Sequence, residues 1–174
     1  MELYDLLLAK SLNGGGSPAP VPDQFKGLVE RTAESLDLSG ITKIGNSAFT
    51  NFQTLKSVYM PDVTYIDASA FNSCGNLVIE KFPNRLTYIN ASAFAYCYGL
   101  KDIEIPASVE TITGMAFSNC NNLKTITFKG KPTSLNANAF RSCPNVTDIY
   151  VPWAEDEVSG APWGATNATV HYNS

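Results

Sequence analysis

The 174-residue chain carries a single histidine, His171, and only 16% of its residues are charged, against about a quarter in an ordinary soluble domain. One imidazole removes most designs for hydrolytic or zinc-dependent catalysis, which converge several ligands or a base and its partner on one centre. The 12 basic residues are scattered among 16 acidic ones, so the basic patch that nucleic acid requires is missing. No apolar run approaches the ~20 residues of a membrane span. No C-x-x-C pair, phosphate-cradling G-x-x-x-x-G-K loop or dinucleotide fingerprint occurs. No enzyme activity, metal or cofactor is therefore expected. What is present is an apolar fraction of 44%, ample for the core of one domain.

That apolar content is periodic. Phe49, Phe71, Phe94, Phe117 and Phe140 recur at spacings of 22, 23, 23 and 23, each preceded by Ala. Five positions earlier stand Ile44, Ile66, Ile89, Ile112 and Leu135; three positions later, Phe52, Cys74, Cys97, Cys120 and Cys143. Six later come Leu55, Leu77, Leu100, Leu123 and Val146. A unit this short cannot bury its own apolar side, so neighbouring units stack into a continuous core. Two stretches per unit alternate as strands do, such as Leu86-Thr87-Tyr88-Ile89 and Leu100-Lys101-Asp102-Ile103-Glu104-Ile105. The Ser-Ala-Phe segment between them is long enough for one helical or 3₁₀ turn. The expected class is an α/β repeat solenoid of five ~23-residue units. One column is irregular: Val58, Ile103, Ile126 and Ile149 are matched by Glu80, and a local shift turning Ile79 inward accounts for it.

The pattern Ile-x-x-x-Ala-Phe-x-x-Cys-x-x-Leu-x-x-Ile-x-Ile-Pro resembles the BspA-like leucine-rich repeat of bacterial and protist surface proteins. The resemblance implies a right-handed leucine-rich-repeat solenoid with strands along its inner face. It further implies adhesion or binding to extracellular macromolecules.

Four segments follow. Residues 41–152 hold the five repeats. Residues 23–40 read as an N-terminal cap, with Phe25, Leu28 and Val29 buried and Leu36–Gly40 leading into the first unit. Residues 153–174 read as a C-terminal cap in which Trp153 and Trp163 cover the last coil, a segment that also looks like the caps of bacterial and phage-encoded members. Residues 1–22 combine an amphipathic stretch, whose Leu3, Tyr4, Leu6 and Leu7 suit an assembly contact, with a Gly-rich and Pro-rich tether. The opening resembles those of small proteins from phage tail and prophage regions. Glu2 and Asp5 stand where a signal peptide would carry basic residues. The expectation is cytoplasmic synthesis, with exposure later on a virion or cell surface.

The cysteines occupy one column 23 residues apart, which places them one above another inside the stack as small apolar residues. His171 reads as a capping or surface residue, and Glu155-Asp156-Glu157 as a solvated loop. The variable positions are those pointing out of the Leu-x-x-Ile-x-Ile strand. Tyr59, Lys81, Glu104, Thr127 and Tyr150 form one outward column, and Asp102 and Asp148 belong to a second. These seven are the candidate binding residues for a protein or glycan ligand. A further exposed row comprises Lys43, Tyr65, Tyr88, Thr111 and Ser134. The expected function is a non-enzymatic recognition module attached to a larger surface or phage-tail assembly. The alternative is a spacer with no ligand of its own.

Overall fold

A computed structural model describes residues 31–173 of the chain. The described residues form a parallel β-solenoid whose strands are β1 (Ser35–Asp37), β2 (Lys43–Ile44), β3 (Ser57–Tyr59), β4 (Tyr65–Ile66), β5 (Tyr88–Ile89), β6 (Asp102–Ile105), β7 (Thr111–Ile112), β8 (Thr125–Phe128), β9 (Ser134–Leu135), β10 (Asp148–Val151) and β11 (Thr169–Tyr172). One side of the stack carries the five-stranded sheet β2-β4-β5-β7-β9. Another carries the pair β1-β3 and the four-stranded sheet β6-β8-β10-β11. The repeat spacing appears directly as register: Tyr65 faces Tyr88, and Asp102 faces Thr125. β1 joins this ladder at Ser35↔Ser57, so the leading strand stacks as a repeat strand does. At the other end β11 adds the C-terminal segment to the four-stranded sheet, beside β10, at Asp148↔Thr169.

The third side of each coil is the Ser-Ala-Phe segment. Among the described residues it forms turns and no helix. The reason lies in how its N–H groups alternate. Those of Ala70, Asn72 and Cys74 donate to carbonyls three residues back, at 3.0–3.2 Å, whereas those of Ser69, Phe71 and Ser73 donate to Ala91, Ala93 and Ala95 of the next coil, at 2.8–2.9 Å. Every second donor is committed to the neighbour, so an i→i−4 ladder cannot form. The alternation requires left-handed residues, found at Ser69 (φ 55°) and Ser73 (φ 59°) and at the equivalent places of other coils.

Stacking sets the core. The repeat phenylalanines form one column with ring centroids 5.2 Å (Phe49–Phe71), 5.3 Å (Phe71–Phe94), 5.3 Å (Phe94–Phe117) and 5.4 Å (Phe117–Phe140) apart. Strand separations of about 4.8 Å dictate that spacing. Phe82 meets Phe94 edge-on at 5.4 Å. At the C-terminal end Trp163 is fully buried and Trp153 nearly so; they pack edge-to-face at 6.1 Å and both lie against Phe128. The two tryptophans thus cover the last coil. The cap residues Phe25, Leu28 and Val29 lie outside the described residues.

All four cysteines are free and buried. Each thiol donates to the phenylalanine carbonyl of the preceding coil: Cys74 to Phe49 (3.0 Å), Cys97 to Phe71 (3.1 Å), Cys120 to Phe94 (3.2 Å) and Cys143 to Phe117 (3.0 Å). Phe52, also buried, occupies this column in the coil of Phe49. Burial pushes the Cys74 thiol up to about 11 and that of Cys97 well above its ordinary value. At pH 8 only about one Cys74 in a thousand is the reactive thiolate. Iodoacetamide is therefore expected to leave Cys74 and Cys97 unmodified in the native protein and to label both in denaturant, as read by intact mass. Rapid labelling of native protein would contradict this placement.

Candidate recognition face

In β6, β8 and β10 the side chains alternate strictly. Ile103, Ile126 and Ile149 point inward, as do Ile105, Phe128 and Val151, and all are buried. The outward positions then fall into two registered rows. One runs Asp102, Thr125, Asp148 and Thr169; the other runs Glu104, Thr127, Tyr150 and His171. Five of the seven candidate residues (Asp102, Glu104, Thr127, Asp148 and Tyr150) therefore share one sheet face. One inner row repeats isoleucine at 103, 126 and 149 and the other stays apolar as Ile105, Phe128 and Val151, while the outer rows mix acidic, hydroxyl and aromatic side chains.

His171 completes this face and was not among the candidates. It lies beyond the last repeat, and the only sequence signal for it was the alternation of Thr169-Val170-His171-Tyr172. Its ring stacks on Tyr150 with centroids 4.5 Å apart, and its Nε2 lies 2.7 Å from Asp148 Oδ1. Glu104 pairs with Lys129 at 2.9 Å. One end of the face is thus an organised Asp148–His171–Tyr150 cluster.

Tyr59 and Lys81 are set apart from these five. In the coil of Phe71, Val78 is exposed, Ile79 buried, Glu80 and Lys81 both exposed, and Phe82 buried. The inward turn of Ile79 is therefore present, and it displaces the outward pair, found at Lys101-Asp102 in the next coil, to Glu80-Lys81. A one-residue slip exchanges the faces of a strand. Pairing is reduced to one bridge, Ser57↔Val78, and β3 and β6 lie in separate sheets. Lys81 lies in no strand. An open cleft of ≈ 850 Å³ occupies this break, with Leu36, Val58 and Val78 among its apolar residues and Tyr59, Lys81 and Arg85 on its margin.

The row on the five-stranded sheet is also registered, through Lys43, Tyr65, Tyr88, Thr111 and Ser134. Tyr65 and Tyr88 stack at 4.7 Å, and Lys43 Nζ lies 5.1 Å from the Tyr65 ring centroid. Burial and the neighbouring Asp67 push the Tyr65 hydroxyl above its ordinary value. These rings turn their faces to one another and present mainly edges. Leu3, Tyr4, Leu6 and Leu7 lie outside the described residues.

The hydrogen bond from His171, reinforced by Thr147, holds the Asp148 carboxyl below the ordinary aspartate value of 3.8. A depressed folded-state pKa contributes stability above the unfolded value, and that contribution is lost as pH falls through the folded value. Asp148 is expected to titrate below pH 3.8 by carbon-detected NMR and to move upward in His171→Ala. An unmoved midpoint in that variant would show that the pair is not formed in solution.

Among the described residues no three His, Cys, Asp or Glu side chains are grouped to hold a metal, and no helix is long and apolar enough to cross a membrane. The model of the BspA type leucine rich repeat region matches in six copies over residues 30–155. The chain belongs to the BspA-type leucine-rich-repeat family. The matched span begins before the first unit counted from the phenylalanine column and takes in β1. The chain is similar to a leucine rich cell surface protein from Faecalibacterium prausnitzii A2-165, with 27% identity and a TM-score of 0.56 over 82% of its length. It is also similar to a leucine-rich repeat protein from Bacteroides ovatus ATCC 8483, with 20% identity and a TM-score of 0.49 over 68%. It spans 32% and 39% of the lengths of those two chains. No curated protein matches the chain. This BspA-type protein is a leucine-rich-repeat protein.

Proposed function

We propose that this BspA-type repeat protein is a non-enzymatic recognition module, and that it binds a protein ligand through the outer face of β6-β8-β10-β11. The observation that carries the reading is the contrast between the rows of that sheet. Ile103, Ile126 and Ile149 repeat one another inside, while Asp102, Glu104, Thr127, Asp148 and Tyr150 vary outside. Packing explains the inner monotony; it places no demand on the outer variety. Tyr150 is 44% exposed and offers a rigid amphipathic ring of the kind that anchors interfaces. Asp102 and Glu104 favour a partner with basic or amide groups opposite.

Similarity to a leucine rich cell surface protein supports a setting on a cell surface; in this reading residues 1–22 are the segment that attaches the module to that surface or to a phage-tail assembly. Retention of surface proteins from the native source on the immobilised chain tests the reading. The double variant Asp102→Ala/Tyr150→Ala is expected to lose a retained band at least about tenfold with an unchanged circular dichroism spectrum. Equal retention by the variant contradicts the face assignment; no retained protein from either favours a spacer. Deleting residues 1–22 is expected to leave retention intact while abolishing incorporation into the larger assembly.

A further inference from the structure

The turn side of the solenoid has a ladder of its own, and the ladder has one gap. Five residues after the repeat phenylalanine, Asn76, Asn122 and Asn145 each donate a side-chain amide to a backbone carbonyl of the coil before: Gln53 (2.6 Å), Tyr98 (2.9 Å) and Asn121 (2.6 Å). Asn167 does the same to Pro144 at 2.9 Å. In the coil of Phe94 this position is Gly99. A Cβ there would lie 2.4 Å from the Leu77 carbonyl oxygen and 2.9 Å from the Asn76 carbonyl carbon, so no side chain fits. The Gly75 carbonyl, the acceptor in this register, consequently receives no amide.

Around that gap the side chains also change. Four residues after the phenylalanine stand Gln53, Gly75 and Tyr98; two after it stand Asn51, Ser73 and Tyr96. The small middle residues leave a hollow of ≈ 320 Å³ lined by Asn51, Gln53, Ser73, Tyr96 and Tyr98. Gln53 and Tyr98 lean in over Gly75 from opposite coils, 3.2 and 3.5 Å from where its Cβ would stand. Tyr96 and Tyr98 are each 42% exposed. Among the described residues, neither tyrosine hydroxyl nor the Asn51 amide has a hydrogen-bond partner. Tyr96 holds a left-handed backbone (φ 60°) that Ser and Asn occupy in neighbouring coils, a conformation sterically costly for a bulky side chain.

We infer that this hollow is a binding site for one pyranose unit of a neutral saccharide. Two exposed aromatic rings offer the apolar surface against which the C–H face of a sugar packs. The unpartnered Asn51 amide and the two tyrosine hydroxyls meet the hydroxyls of the sugar, which both donate and accept, while the Gln53 amide, held by the Ser73 carbonyl, frames the hollow. None of the five lining side chains is charged, which selects against sulfated, phosphorylated or sialylated ligands and against charged peptide. The site lies on the turn side, separate from the strand face proposed for protein recognition, so the two assignments fail independently.

The test is ¹⁵N-HSQC titration of the full chain with a panel of neutral oligosaccharides: chitotriose, N-acetyllactosamine, maltotriose and cellotriose, with sialyllactose and heparin disaccharide as charged arms. The expected result is saturable shifts confined to Gly75, Tyr96, Tyr98 and their neighbours for at least one neutral sugar, at concentrations on the order of millimolar. Tyr96→Asn installs the residue used by neighbouring coils, so it is expected to keep or raise stability while weakening binding at least about fivefold. Tyr98→Asn is expected to weaken binding similarly, and Tyr150→Ala to leave it unchanged. Silence with every neutral sugar, response to the charged arms alone, or undiminished binding by Tyr96→Asn would overturn the assignment.

Discussion

Replacing Phe94 by alanine is expected to destabilise the protein by about 4 kcal/mol, the upper range for truncating a buried aromatic ring. Phe94 has no exposed surface and stands in the middle of the phenylalanine column. Its ring stacks at 5.3 Å on both Phe71 and Phe117 and receives the edge of Phe82 at 5.4 Å. Removing it leaves a cavity shared by three coils. Those coils cannot collapse into it, because their spacing is held by backbone bonds such as Phe71 N–H to Ala93 and Phe94 N–H to Ala116, both 2.8 Å. Urea unfolding followed by circular dichroism measures the loss. Phe94→Leu, which refills part of the volume, is expected to recover about half of it. A cost near 1 kcal/mol for Phe94→Ala, the size of an ordinary surface-to-moderate effect, would show that the column is not a continuous packed element.

Trp163→Ala is expected to cost a comparable ~4 kcal/mol, with a different signature. Trp163 is fully buried against Phe128 and Trp153, its indole N–H donates to the Ser159 carbonyl at 3.0 Å, and its own carbonyl accepts from Phe140 N–H at 2.9 Å. It closes one end of the stack. In a solenoid each coil is stabilised chiefly by its neighbours, so loss of a cap opens the array from that end. Native-state hydrogen exchange in Trp163→Ala is expected to accelerate first in β10 and β11, with β4 and β5 retaining protection. Uniform acceleration throughout would assign Trp163 to a global core instead of a cap.

The difference between these two substitutions reflects what was legible in the chain. The Phe, Ile, Leu and Cys columns recur at a fixed period because each coil presents the same inward positions to its neighbours. Periodicity alone therefore placed Phe94 inside and the strands in parallel register. The shift at Ile79 was legible too, since Glu80 is too polar for the column it would otherwise occupy. The turn geometry was not. Ser-Ala-Phe-Asn-Ser-Cys is compatible with a helical turn taken alone, and only the competing donation of alternate N–H groups to the next coil excludes one. For the same reason the Cys column read as packing, whereas its thiols also donate to the phenylalanine carbonyls. The strand face was half legible. Outward positions followed from alternation, but the separation of Tyr59 and Lys81 depends on pairing lost beyond Val78. The inclusion of His171 depends on a strand outside the repeat period. Such features arise from contacts between coils, which a single repeat does not encode.

Site-specific photo-crosslinking tests the central claim, recognition through the β6-β8-β10-β11 face, most directly. p-Benzoylphenylalanine placed at position 150, where an exposed tyrosine ring already stands, is compared with the same group at position 110, an exposed residue beside the five-stranded sheet. Each protein is irradiated with surface proteins of the native source. A discrete crosslinked partner is expected from position 150 and none from position 110. Crosslinking from position 110 alone, or from neither, would contradict it.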